Sequence, residues 1–404
     1  MKIGILTFHF AFNQGAVLQC YAMQKYLESQ GHEVYIINYR PSYHTVMHSA
    51  WRNPFVYSHV FWKKFRSRSI PTRLLLSARS FVRCMCWNIT KVDQKNQEAF
   101  REFEKSHLHI TREYRTLEQL KRNPPEFDAY ISGSDQVWNP DLLGQEFDKA
   151  YFLDFGAKET KRITYAVSMG KIHDSETLSQ LKELCVGLDA ISLREYSEDD
   201  VAAIGRDVHI CIDPTFLLDA ADYSDVESEI VEESPYIFVY GFETNDSLRD
   251  AVEEAAKKYK CRIINGSPKW LQLSGNIKTV SGYGPDRFLS LIKHSECVIT
   301  NSFHGTAFSI IYQKDFITVP HSTRGKRMED LLGKLGIPYR LYGRPDFSLD
   351  KDIPYPVVHD RVTMLRSHSA EYLTLAIQGQ KGENIPHYPE DETDLYGMSE
   401  EITD

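Results

Sequence analysis

The first 41 residues, MKIGILTFHFAFNQGAVLQCYAMQKYLESQGHEVYIINYRP (1–41), decide the architecture. Residues 2–8 form a short apolar run with β-branched members, and a polar turn holding Asn13, Gln14 and Gly15 follows it. In the next stretch Val17, Leu18, Tyr21 and Leu27 fall near helical spacing, and Gly31 closes the pattern as a C-terminal stop. Glu33 to Pro41 then reads as a second strand, ended by proline. Strand, helix, strand is a βαβ unit. Its crossover is right-handed and its strands parallel, so the chain is committed to an α/β sheet.

The same rhythm returns farther along. Strands are expected at 129–135, 162–170, 189–195 and 207–214, with a helix at 175–186. Together with the opening unit they predict a doubly wound N-terminal domain over residues 1–218. A second set begins at Pro235, with helices at Ser247–Tyr259, near Pro285–Lys293 and from about Gly305, and strands between them. It predicts a C-terminal Rossmann-like domain over 219–358. Residues 50–112 break the rhythm and read as a basic helical insertion, its second helix running from Asp93 to Ser106. A last helix within 359–380 is placed to cross back to the N-terminal domain, and 381–404 form an acidic tail. Two domains suit a chain of 404 residues, which is long for one core.

Composition narrows the class. Hydrophobic residues at 42% and charged residues at 25% are the values of a soluble globular protein. No window of about 18 apolar residues occurs, which argues against a spanning helix. The N-terminal apolar stretch runs into polar residues without a small-residue cleavage site, so it reads as a strand and not as a signal peptide. None of the seven cysteines forms a C-x-x-C pair, and core thiols in a reducing cytoplasm are expected. The net charge of −9 is unevenly spread: nine Lys or Arg and no Asp or Glu lie between Arg52 and Lys91. That segment is a candidate surface for anionic partners, including peripheral contact with the inner face of a membrane. Nucleic acid is not expected as a partner, because the segment carries no recognised motif and the whole chain is acidic.

Ligands of open α/β sheets bind at the carboxyl ends of strands, and several polar clusters fall there. In ECVITNSFHG (296–305), Asn301, Ser302 and His304 follow a strand, and Gly305 stands where a helix opens. Such a turn can hold a phosphate or carboxylate, although a buried histidine capping a helix is an equal reading. SGSDQVWNP (132–140) offers Ser134, Asp135, Gln136 and Asn139 to sugar hydroxyls and Trp138 as a flat stacking face. A plain cap beside a core tryptophan is its alternative. Arg194 ends a strand and could grip a carboxylate bidentately, or pair with Glu198 or Asp199. Arg324, Lys326 and Arg327 follow another strand and could meet a phosphate. The histidines are dispersed, with none at i, i+4 beside a carboxylate, so no metal is expected. Dinucleotide, Walker and G-x-S-x-G motifs do not occur.

Taken in order, GILTFHFAFNQGAVLQCYAMQKYLESQGHEVYIINYRP, AYISGSDQVWNP, YFLDF, ITYAVSMG, ISLRE, DPTFLL and NSFHGTAFSIIY resemble the polysaccharide pyruvyl transferase family. The resemblance implies two Rossmann-like domains facing a cleft, similar to the GT-B glycosyltransferases. It implies phosphoenolpyruvate as donor, no cofactor, and a pyruvate ketal formed on hydroxyls of a sugar acceptor, including one carried on a lipid. His304 then matches the general acid or base and Arg194 the residue that holds the donor, with Asn301, Ser302 and Gly305 around it. Asn13, Gln14 and Gly15 join the 134–139 cluster on the acceptor side. Members with an arginine two residues before the histidine differ from this chain, which has Ser302 there; the resemblance leaves Arg324 or Lys326 to supply that cation. Two other functions fit the same cleft: a GT-B glycosyltransferase using a nucleotide sugar, and a carbohydrate-binding protein without turnover.

Overall fold

A computed structural model describes the chain except at residues 42, 44–54, 56–61, 63–68, 91–93, 144–145, 171–174, 230–231, 233–234, 268–276, 322–324 and 389–404. Arg324, most of the acidic tail and much of the basic segment 52–68 therefore lie outside the described residues.

Strand β1 (Lys2–Leu6), the helix Gln14–Ser29 and β2 (Glu33–Ile36) form the opening unit, with β1 and β2 parallel and Lys2 opposite Glu33. β3 (Ala129–Ser132) and β4 (Lys161–Thr164) extend the sheet in the order β2-β1-β3-β4. Bridges Ile163–Ala190 and Val167–Leu193 attach the short strands β5 (Ser192–Leu193) and β6 (His209–Ile210) beyond β4. The C-terminal domain holds β7 (Tyr236–Tyr240), β8 (Arg262–Asn265), β9 (Ile277–Thr279), β10 (Cys297–Thr300) and β11 (Asp315–Thr318). Their order is β11-β10-β7-β8-β9, all parallel. Parallel crossovers place helices on both faces of each sheet, so the central strands are buried along most of their length: Ile3, Ile5, Ile131, Ile237, Val239 and Ile299 are buried without remainder, with Ser132 and Thr300 buried at strand ends.

Strand order reverses between β1 and β3 in one sheet and between β7 and β10 in the other. A crevice opens beyond the strand ends at such a reversal, and the loops there carry residues 7–14, 133–139, 241–243 and 301–304. This is the two-domain, Rossmann-like class expected from the sequence. The two lobes also share apolar packing, since a single cluster runs from Ile3 and Tyr21 through Phe216 to Phe238, Phe288 and Phe308.

Two helices lock the lobes together. Gln94–His107, within the insertion, buries Phe100 and Phe103 in that shared cluster, and Asn96 Oδ1 accepts from Tyr283 N at 3.2 Å. The last helix, Tyr355–Gln378, starts earlier than its periodicity suggests. Pro356 sits in its first turn, where a missing N–H costs nothing. From that helix Tyr372 donates to Thr164 O at 2.9 Å, Ser369 Oγ accepts from Ile212 N at 2.9 Å, and Arg366 Nε donates to Phe216 O at 2.6 Å. Among the described residues no helix is long and apolar enough to cross a membrane, and six cysteines are free thiols.

Candidate functional site

β10 runs into a turn that aims His304. Ser302 caps the helix Phe303–Ile311, its Oγ accepting from Gly305 N at 3.3 Å, so the helix opens two residues before Gly305. Gly305 has no side chain because Thr300 packs against it: an added Cβ would lie 2.2 Å from Thr300 Oγ1. Asn301 Oδ1 accepts from Phe242 N at 2.8 Å and its Nδ2 donates to Glu243 O at 2.7 Å, tying the loops after β7 and β10. Asn301, Ser302 and Gly305 thus build the turn, and the Gly305 amide is already spoken for by its cap.

His304 reaches across the lobe boundary. Its Nε2 lies 3.6 Å from Asp213 Oδ2, in the loop after β6 of the N-terminal domain. The same oxygen accepts from Arg194 Nη1 at 2.6 Å and lies 3.4 Å from Ser134 Oγ. Oδ1 is held by Thr215, through its amide at 3.0 Å and its hydroxyl at 2.8 Å. Asp213 is 1% exposed and His304 and Arg194 are each 6% exposed, which makes a nearly dry cluster. Burial pushes the Asp213 carboxyl up, but His304, Arg194 and the Thr215 amide together outweigh it and hold the group well below the usual carboxylate range. For Arg194, burial works against the charge, while Glu195, Asp213 and Asp135 overcome it and keep the guanidinium protonated.

Arg194 does not pair with Glu198 or Asp199. Its Nε donates to Glu195 at 2.9 Å, Nη1 is taken by Asp213, and Nη2 lies 3.8 Å from Asp135 Oδ1. A bidentate grip on a ligand is therefore closed off, and Nη2 is the edge left for one. Both Arg194 Nη2 and His304 Nε2 are buried nitrogens without a hydrogen-bond partner. Such atoms call for an explanation, and two of them facing one crevice fit a ligand that completes their hydrogen bonds. Asp213 and Pro214 count among the polar clusters at strand ends, but nothing in the sequence assigns Asp213 a role at the site, and the structure places its carboxylate between Arg194 and His304. The ordinary meaning of an Asp-Pro pair is a cap, and one Asp213 oxygen does cap Thr215.

The loop after β1 closes the other side. Asn13 caps the helix Gln14–Ser29, accepting from Gly15 N at 3.0 Å, and Gln14 Oε1 accepts from Tyr240 OH across the lobes at 2.8 Å. Gly15 faces the imidazole so closely that a Cβ there would fall 2.1 Å from His304 Nδ1. Hence Asn13 and Gln14 serve the helix cap and the lobe contact, and Gly15 leaves room for the histidine.

The 132–140 loop divides. Ser134 and Asp135 reach the Asp213–Arg194 cluster, Asp135 with a left-handed φ of 68° that few non-glycine residues adopt. Gln136 faces Arg327 of the opposite lobe, with guanidinium nitrogens 2.9 and 3.1 Å from its amide when the oxygen is turned to them. Asn139 Oδ1 accepts from Asp141 N at 3.1 Å, and the side chain is buried. Trp138 is a correction. It is completely buried, stacked on Phe152 at 4.4 Å, with Nε1 donating to Tyr151 O at 3.1 Å. With its face covered it offers no stacking surface to a sugar; the loop curls inward and the indole fills the core.

Of the two cations expected from the loop after β11, Arg324 lies outside the described residues. Lys326 opens the helix Lys326–Lys334 and is exposed. One residue on, about 100° around the helix, Arg327 turns inward and lies 5.9 Å from the Phe303 ring, while Arg194 lies 4.5 Å from the same ring. Arg194, Glu195, Asp213, Phe303, Arg327 and Lys334 line one crevice between the lobes. Among the described residues no group of three or more His, Cys, Asp and Glu is placed to hold a metal ion.

Two parallel-sheet domains closing on a buried Arg–Asp–His cluster define a two-domain α/β protein with its candidate site between the domains. A family model for polysaccharide pyruvyl transferase matches residues 13–323, most of the chain. The protein belongs to that family, whose members are transferases. Among curated proteins none matches the chain in sequence. Similar solved structures include a putative UDP-N-acetylglucosamine 2-epimerase from Listeria monocytogenes, 8% identical over 95% of this chain and 92% of that one, TM-score 0.47. MnaA from S. aureus, solved with UDP, is 10% identical over 96% and 99%, TM-score 0.47. The glycosyltransferase SnogD from Streptomyces nogalater is 14% identical over 94% and 98%, TM-score 0.37.

Proposed function

We propose that the protein transfers a pyruvyl group from phosphoenolpyruvate to two hydroxyls of a sugar in a cell-surface polysaccharide or its precursor, forming a cyclic ketal. The observation that supports the reading is a buried imidazole and a buried guanidinium, His304 and Arg194, brought from opposite lobes to the Asp213 carboxylate, with His304 Nε2 and Arg194 Nη2 making no hydrogen bond.

In this reading protonated His304 gives its proton to the methylene carbon of the donor, and the carbon bearing the phosphate becomes an oxocarbenium-like centre. A sugar hydroxyl attacks that carbon and returns its proton to the imidazole, giving a phospho-ketal. The C–O bond to phosphate breaks, the neighbouring hydroxyl attacks, its proton leaves with the phosphate, and the ring closes. Asp213 stabilises the imidazolium before transfer. Arg194 Nη2 lies toward the donor carboxylate, with Arg327 beside it for the phosphate. In this reading the crevice lined by Arg194, Phe303, Arg327 and Lys334 admits the substrates, and burial of the cluster keeps water from the cation. A donor made in the cytoplasm sets the reaction there.

The test is incubation of the protein with phosphoenolpyruvate and a panel of lipid-linked and nucleotide-linked sugars. Inorganic phosphate and a product heavier by pyruvate minus water are expected. Consumption of a nucleotide sugar with release of nucleotide would assign the glycosyltransferase reading instead, and no turnover with any donor would leave a binding protein. A second prediction arises from Gly15. Gly15→Ala forces the imidazole to move, since its Cβ would overlap Nδ1, and a displacement of this order costs about 10²-fold in rate. The fold should survive, because alanine suits the second position of a helix. Steady-state rates and a thermal melt of the variant check both halves.

A further inference from the structure

The helix Ile70–Thr90 of the insertion turns its apolar side the wrong way for a solvated element. Ser80 and Cys84 are buried on one side. On the other, Ile70, Leu74, Leu75, Val82 and Met85 are between 40% and 69% exposed, and Phe55 nearby is 74% exposed. At 100° per residue the five helical positions fall within about 140° of arc, so they make one continuous stripe. Single exposed apolar residues need no explanation, but a stripe of this length does.

Charge identifies what covers it. Arg79, exposed, flanks the stripe, and Arg73 packs its guanidinium 4.1 Å from the Trp62 ring. Between Arg52 and Lys91 the chain has nine basic residues and no acidic one, within a protein of net charge −9. A second copy placed on this stripe would set two wholly basic segments against each other. An anionic lipid surface meets both features at once, taking the apolar stripe into its headgroup boundary and the arginines onto its phosphates.

We propose that this helix is a docking face for an anionic membrane surface, holding the interdomain cleft where lipid-borne acceptors lie. The docking goes beyond the pyruvyl-transfer reading and is measured without donor or acceptor, so either can fail alone. Full-length protein is sedimented with phosphatidylglycerol vesicles and with phosphatidylcholine vesicles. Binding to the first and not the second is expected, weakening as salt rises. Leu74→Glu together with Leu75→Glu should lower the affinity at least about tenfold, from lost apolar burial and added negative charge. Both sites are exposed, so folding should be unaffected, and Arg79→Glu should weaken binding in the same direction. Equal binding to both vesicle types, no binding to either, or binding that survives the double substitution overturns the proposal. So does a dimer in light scattering that the double substitution dissolves, which would give the stripe to a second copy.

Discussion

Replacing His304 with Gln is expected to lower pyruvyl transfer by about 10²–10⁴-fold, the range usual for loss of a general acid–base group. Glutamine is chosen because it fills much of the same space beside Gly15 and can still donate toward Asp213, so what it removes is the exchangeable proton. The KM for phosphoenolpyruvate should change far less than kcat, since in this reading the donor is bound mainly by Arg194 and Arg327. Phosphate release under saturating donor measures the first, and a donor titration the second. Retention of near-full kcat would falsify the assignment of His304 as the acid. A thermal melt matching the parent separates chemistry from unfolding.

The architecture was legible because parallel sheets leave a plain trace. Buried on both faces, strands such as those at 129–132, 236–240 and 297–300 are short apolar runs, two of them ending in a buried hydroxyl residue, and helical periodicity between them names the crossovers. β9 left no such trace, since Lys278 and Thr279 are exposed at a sheet edge. The meeting of His304 and Arg194 could be expected from their positions at strand ends, and Asp213 stood at a strand end too, but its part in joining them could not be read from the sequence. Asp213 is 91 residues from His304 and 19 from Arg194, and nothing local distinguishes a capping aspartate from one whose second oxygen crosses a lobe boundary. Trp138 fails for a related reason. Neighbouring polar residues suggested a wet surface, whereas Phe152, which covers its face, lies in a separate short helix whose contact only the fold reveals. Lys326 and Arg327 differ by one helical step, and helix phase is set by packing that a two-residue window does not record.

Asp213→Asn is expected to damage stability and catalysis together. Removing one partner of a buried ion pair costs about 3–5 kcal/mol when the other charge is left alone; here Arg194 loses its 2.6 Å partner but keeps Glu195 at 2.9 Å, so the loss should fall below that range. Asparagine can still cap the Thr215 turn through its carbonyl oxygen. Were that cap the whole function of the residue, the variant would melt with the parent and keep its rate. The pH dependence distinguishes the two roles further. A carboxyl whose folded value lies below its unfolded value of about 4 stabilises the fold fully above that value, and the contribution fades as pH falls through and beneath it. The gap in melting temperature between parent and variant should therefore be widest near neutrality and narrow below about pH 4. A gap that stays constant across that range would mean that the carboxylate's charge does not bind the lobes. Loss of rate at neutral pH, where the variant remains folded at low temperature, would come from a misplaced imidazole and a misplaced Arg194, and a double substitution with His304→Gln separates them: the loss in kcat that passes through the ring should fail to add, while a rise in the KM for the donor, which passes through Arg194, should persist.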